Sequence, residues 1–123
     1  VVTNHILKQP SQERRTMPAE AARIARGDIA LLSSFDVDNY DAIVIPGGMG
    51  AIANLCTFAM NGSNCSVHPD VERVIKEMHN VGKPIVGLCI APVLLVRILK
   101  NILVIITNSY IQIYEIWSFT NFR

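Results

Sequence analysis

Gly82-Lys-Pro-Ile-Val-Gly-Leu-Cys-Ile-Ala-Pro92 decides the fold. Pro84 to Cys89 is a short apolar run and reads as a buried strand. Ala91 to Leu99 follows as an apolar helix, with Arg97 and Lys100 near its C-terminal end, where the dipole favours cations. A second run of the same kind lies upstream. Asp41-Ala-Ile-Val-Ile-Pro46 predicts another buried strand, Gly47-Gly48-Met49-Gly50 a flexible turn, and Ala51 to Ala59 helical structure.

Between the two strands stands the clearest helix. Val71, Val74, Ile75 and Met78 recur at i, i+3, i+4 and i+7. Pro69 and Asp70 suit its first turn, Glu72 and Lys76 form an i,i+4 pair, and Val81-Gly82 ends it. Strand, helix, strand, helix at this spacing predicts an α/β domain with a parallel sheet covered by helices.

Further out the pattern weakens. Val1 to Leu7 allows a short strand. Met17, Ala21, Ile24 and Ala25 share one face of a short helix that starts near Pro18 and stops at Gly27. Asn61 to Ser66 reads as a loop. Residues 102–123 contain no Gly or Pro, carry only Glu115 and Arg123 as charges, and are rich in Ile, Tyr and Phe. One or two strands fit there, without turn residues to mark a reversal. The organisation expected is a partial α/β domain over 1–101 and a divergent apolar segment over 102–123.

Composition excludes several classes. Of the 123 residues, 50% are hydrophobic and 17% charged, and the net charge is +1 with no basic block. Neither nucleic acid nor an anionic membrane is an expected partner. The longest apolar stretch is interrupted by Arg97, Lys100 and Asn101, a poor membrane span. Cys56, Cys65 and Cys89 are odd in number and widely spaced, which fits neither a disulfide framework nor a metal site. His5, His68 and His79 lack metal-ligand spacing and read as structural, His68 in the entry to the best helix.

Cys89 is the candidate for chemistry. It ends a strand and precedes a helix, where a tight turn pushes a side chain out of the sheet as a nucleophile elbow does. The positive end of the helix dipole favours a thiolate there, and the free N–H of Ile90 can serve an oxyanion. A buried structural cysteine is the competing reading. Pro46-Gly47-Gly48 lies at the carboxyl end of the other strand, where open α/β sheets bind ligands. A plain tight turn competes there. The glycines are no dinucleotide fingerprint, and no Walker lysine follows.

Taken together, Ala22–Gly27, Asp41–Ala51 with Asn54-Leu55, Val71–Val74 and Gly82–Pro92 resemble one family across roughly residues 8–100. It is the ElbB-like branch of the PfpI, class I glutamine amidotransferase-like superfamily, which includes mitochondrial proteins of animals. The resemblance implies a flavodoxin-like sandwich, with a parallel sheet between helices, incomplete in this chain. It implies Cys89 as nucleophile, with Gly48 and Ile90 supplying oxyanion-hole N–H groups. Glyoxalase-III-type members act on glyoxal or methylglyoxal without cofactor or metal, so a small carbonyl substrate, a homodimer and a mitochondrial location are implied, with the cytoplasm as the alternative. A non-catalytic binding or redox-sensing relative and an inactive fragment are the other readings. The family's acidic partner lies upstream of Val1, residues 102–123 do not match its continuation, and no His follows Cys89, which disfavours glutaminase chemistry. A chain truncated in front and substituted behind is therefore expected.

Overall fold

The computed structural model describes residues 2–100, 104–106 and 113–116. The chain divides into two compact units, Val1–Ser34 and Phe35–Arg123.

In the first unit, strands β1 (Thr3–Asn4) and β2 (Gln9–Pro10) pair antiparallel. The Asn4 carboxamide oxygen accepts from the N–H groups of Ile6 and Leu7, 3.0 Å each, and closes the turn between them. The strand expected over Val1–Leu7 is thus only two residues long. Helix α1 (Met17–Ile24) begins where the sequence predicts. Thr16 caps it, its hydroxyl accepting from the Ala19 N–H at 3.3 Å, and Pro18 stands in the first turn. It ends with Gly27 N–H donating to the Ala22 carbonyl at 2.7 Å, around Arg26 and Gly27, both with positive φ. Its apolar stripe buries no residue.

The second unit holds the core. Strand β3 (Ile43–Ile45) pairs in parallel with β4 (Ile85–Leu88), Ile43 opposite Ile85 and Ile45 opposite Gly87. Two strands from the C-terminal region, β5 (Val104–Ile106) and β6 (Ile113–Ile116), join antiparallel, giving the order β3-β4-β6-β5. The sheet is therefore parallel where β3 meets β4 and antiparallel beyond. The reversal between β5 and β6 lies outside the described residues.

Helix α2 (Met49–Asn54) follows β3, and α3 (Phe58–Asn61) comes after a break. The single helix expected over Ala51–Ala59 is interrupted because residues 56–57 are drawn into extended pairing. Cys56 bridges Val67, and the Thr57 N–H donates to the Ser66 carbonyl at 2.9 Å. Within the expected loop, Gly62–Asn64 forms one turn of 3-10 helix.

Helix α4 (Pro69–Asn80) buries Val71, Val74, Ile75 and Met78, the four positions picked out by periodicity. His68 caps it, its Nδ1 accepting from the Asp70 N–H at 3.3 Å. At the other end Gly82 takes φ +71, and the N–H groups of Gly82 and Lys83 donate to the carbonyls of His79 and Met78, 3.0 Å each. That paired stop needs a left-handed residue, which glycine supplies without strain. Helix α5 (Pro92–Ile98) packs against α4 and β4. Ile75, Met78, Leu94 and Leu95 are fully buried there, with Ile45 and Ile85 beneath them. A buried side chain of this size contributes about 1.5–3 kcal/mol, so these six positions hold the unit together.

One expectation needs correction. Strand β3 reads as buried on both faces, yet Val44 is 57% exposed. In the sheet order β3 is an edge strand, paired among the described residues only with β4, and Val44 points away from the face that holds Ile45.

Candidate functional site

Both strands of the parallel pair end at the same edge of the sheet, and the two turns that leave them meet there. In the first, Gly48 has φ +89 and serves as the N-cap of α2. In the second, Cys89 has φ +56, sits between β4 and α5, and is exposed. A non-glycine residue in the left-handed region is uncommon and costs about 1–2 kcal/mol, held only where the surroundings fix it.

Those surroundings are two glycines in close packing. A Cβ on Gly47 would lie 2.5 Å from the Leu88 carbonyl oxygen, 2.9 Å from the Ile90 nitrogen and 3.1 Å from the Cys89 Cβ. A Cβ on Gly87 would lie 3.0 Å from Leu95 Cδ1 and 3.2 Å from the Pro92 nitrogen. Gly47 lets the first turn touch the second, and Gly87 lets α5 settle onto β4. Gly87-Leu-Cys-Ile-Ala91 thus places small residues two positions on either side of Cys89, the spacing that a sharp strand-to-helix turn requires. The role of Gly47 was missed in the sequence. Its signal was a glycine pair after a strand, which does not say which glycine touches a neighbour.

Ile90 stands directly after Cys89, its backbone nitrogen beside Gly47, and its side chain is partly buried against the core. Gly48 has open space where a Cβ would stand. Among the described residues, neither the Gly48 nor the Ile90 N–H donates to a protein acceptor. The arrangement can therefore offer an exposed thiol beside free backbone donors.

Cys89 opens onto a cleft of about 610 Å³. Ile90, Pro92, Val93, Val96, Arg97 and Lys100 line it from α5 and its flanks, and Phe58, Ser63 and Cys65 from α3 and the turn after it. Arg97 is fixed in place, its Nε donating to the Cys65 carbonyl at 2.6 Å. Nearby, a hydrogen bond from Lys76, 2.6 Å long, holds the Glu72 carboxyl below the ordinary value, helped by the charges of Lys76, Arg97 and Lys100. Cys65 and the two cations were read in the sequence only as loop and helix-end residues. Their convergence depends on how the loop after α3 folds back on α5, which no local pattern encodes.

The other two thiols are buried. Burial pushes the Cys56 thiol up, and its Sγ lies 3.6 Å from the Ile52 carbonyl. His68 and His79 lie at opposite ends of α4, and His5 lies in the first unit. None of the three lines the cleft, and neither does any carboxylate among the described residues. No group of three or more His, Cys, Asp or Glu among the described residues is placed to hold a metal. No helix among them is long and apolar enough to cross a membrane.

Comparison with known proteins agrees with this architecture. No family model matches the chain. It is 49% identical over 102 residues to the human glutamine amidotransferase-like class 1 domain-containing protein 3, mitochondrial, covering 82% of this chain and 38% of that protein. It is 48% identical, with the same coverage, to the mitochondrial ES1 protein homolog of Rattus norvegicus. The mitochondrial ES1 protein of Danio rerio is 38% identical over 106 residues, covering 82% of this chain and 39% of that one. The chain spans about two-fifths of the length of these relatives. The crystal structure of an isoprenoid biosynthesis protein with an amidotransferase-like domain from Ehrlichia chaffeensis matches 80% of this chain and 47% of its own, with a TM-score of 0.72 and 34% identity. The fold is α/β and amidotransferase-like, the flavodoxin-like class expected, and the relatives support a mitochondrial location. Over four-fifths of its length, the chain is a homologue of the mitochondrial glutamine amidotransferase-like class 1 domain proteins.

Proposed function

We propose that the protein to which this chain corresponds uses Cys89 as a thiol nucleophile on a carbonyl compound, in the manner of glyoxalase-III-type enzymes, and works as a homodimer. The observation that carries this reading is Cys89 itself, exposed at positive φ on a strand-to-helix turn. A fold rarely keeps a strained polar residue at an open cleft for packing alone.

The chemistry would run as follows. The Cys89 thiolate adds to the aldehyde carbon of a 2-oxoaldehyde, and the carbonyl oxygen takes the electron pair. The N–H groups of Gly48 and Ile90 are the candidates to stabilise that oxygen. A proton then leaves the former aldehyde carbon and one is delivered to the neighbouring carbon, so the first carbon is oxidised and the second reduced. The product is a thioester of a 2-hydroxy acid. Water hydrolyses it, freeing the thiol and the acid, with no external oxidant or reductant. Moving the proton needs a base, and the described lining of the cleft holds no carboxylate or imidazole.

That missing base favours a second reading, a binding or redox-sensing relative whose thiol adds to carbonyls or is oxidised without turnover. Methylglyoxal consumption by the full-length protein and its Cys89→Ser variant separates the two. The enzyme reading expects turnover that Cys89→Ser abolishes. Adduct formation at Cys89 without turnover favours the binding reading. Turnover undiminished in Cys89→Ser overturns the role of the thiol.

A further inference from the structure

We propose that the cleft beside Cys89 selects an elongated carbonyl compound with an apolar body and a carboxylate at its far end. The inference rests on the nucleophile reading above and adds the class of substrate to it.

Size comes first. A cleft of about 610 Å³ lies within the range that encloses drug-sized ligands. A three-carbon aldehyde occupies on the order of 100 Å³, judged against about 30 Å³ per liquid water, and leaves most of that space unfilled.

Shape and polarity come next. The lining residues Val93, Val96, Arg97 and Lys100 recur at i, i+3, i+4 and i+7, so the cleft runs lengthwise along α5. Cys89 stands before the N-terminal end of that helix and the two cations at or just past its C-terminal end. The axial rise of α5 from Pro92 to Ile98 is about 9 Å, and with Cys89 before the helix and Lys100 beyond it the thiol and the cations stand on the order of 10 Å apart, the reach of an extended chain of about eight to ten atoms. The α5 wall between is aliphatic, and Phe58, Ser63 and Cys65 complete the lining.

Charge completes the assignment. Arg97 uses its Nε on the Cys65 carbonyl, which fixes the guanidinium at the cleft. Lys100 forms no ion pair among the described residues. The nearby carboxylate, Glu72, is paired with Lys76 at 2.6 Å and also feels the charges of Arg97 and Lys100, so one carboxylate stands against three cations. The far end therefore keeps a net positive charge beside an apolar trough, the complement of an acid-tailed chain.

The test uses haloacetamides that differ only in their tail and reads alkylation of Cys89 by peptide mass spectrometry. Three probes suffice: iodoacetamide, an N-alkyl iodoacetamide with a six-carbon tail ending in carboxylate, and the neutral amide of that same tail. The carboxylate probe is expected to label Cys89 about tenfold faster than its neutral counterpart at low salt, an advantage that shrinks as salt rises. Lys100→Gln and Arg97→Gln should each erase most of the difference, read within each variant as the ratio of the carboxylate probe's rate to the neutral tail's. Lys100 is exposed and makes no hydrogen bond among the described residues, so its variant stays informative even if Arg97→Gln disturbs the loop at Cys65. Equal rates for the charged and neutral tails would overturn the proposal. The nucleophile reading fails by a different mark, undiminished methylglyoxal turnover in Cys89→Ser, and the substrate assignment would fall with it.

Discussion

Two turns leave the parallel strands at the same edge of the sheet, and both need a left-handed residue. After β3 that residue is Gly48, at φ +89; after β4 it is Cys89, at φ +56. Glycine takes the conformation without steric cost, whereas cysteine pushes its Cβ against its own carbonyl. One turn is thus relaxed and offers only backbone groups, and the other is strained and carries a thiol. The strained turn stands because its neighbours leave it no alternative: Gly47 lies flat against it, and Gly87 brings α5 down on its far side. Small residues assemble the turn, and its exposed thiol sits where the backbone would prefer no side chain.

The largest effect should come from breaking the contact between the turns. A methyl group on Gly47 would meet the Leu88 carbonyl oxygen at 2.5 Å, and backbone cannot swing aside as a side chain can. Gly47→Ala should lower stability by about 2–3 kcal/mol, read as a drop in the urea midpoint, and should slow alkylation of Cys89. A midpoint equal to wild type would mean the two turns do not constrain each other.

Swapping residues between the turns gives the next effect, and its sign is the point. Gly48→Ala should cost about 1–3 kcal/mol, from the backbone alone, since φ +89 with ψ 163 is a conformation that glycine adopts freely and other residues do not, and nothing crowds its Cβ. Cys89→Gly should leave stability unchanged or raise it by up to about 1 kcal/mol while removing all carbonyl chemistry. Equal losses in both variants would contradict strain at Cys89.

A smaller effect concerns the buried thiols. Burial pushes the Cys56 thiol up from an ordinary value of 9.0, so the folded state holds its proton more tightly than the unfolded state. Its contribution is present below that ordinary value and fades as pH rises through the raised one. Alkaline titration of stability should fall less steeply in Cys56→Ala than in wild type.

The smallest effect is at Glu72. Its carboxyl is held down by Lys76, so the pair helps above the ordinary carboxylate range and is lost as pH falls through the depressed value. The side chain is exposed, and solvent screens the pair. Glu72→Gln should barely change the melting temperature at neutral pH, and the small gap should close in acid.

How much of this was legible follows the same division. Helix α4 was readable to the residue, because one face of four apolar side chains, a proline at the start and a glycine at the stop all agree. The strands β3 and β4 were readable as elements, but the exposure of Val44 was not, since an edge position is a property of the sheet and not of the strand. The break between α2 and α3 was hidden for a similar reason: Cys56 and Thr57 pair with residues nine to eleven positions on. At the site, the turn at Cys89 could be seen from strand, cysteine and helix in succession. The close approach of Gly47 and the cationic end of the cleft could not, because both depend on segments far apart in sequence.

The most direct test of the central claim is a race between the three cysteines. Native protein is treated with limiting iodoacetamide at one neutral pH, and the label at each site is counted by peptide mass spectrometry. Cys89 should be modified at least about tenfold faster than Cys56 and Cys65, which the fold encloses. Labelling of Cys89 no faster than that of the two buried thiols would contradict it, and with it the assignment of Cys89 as the nucleophile.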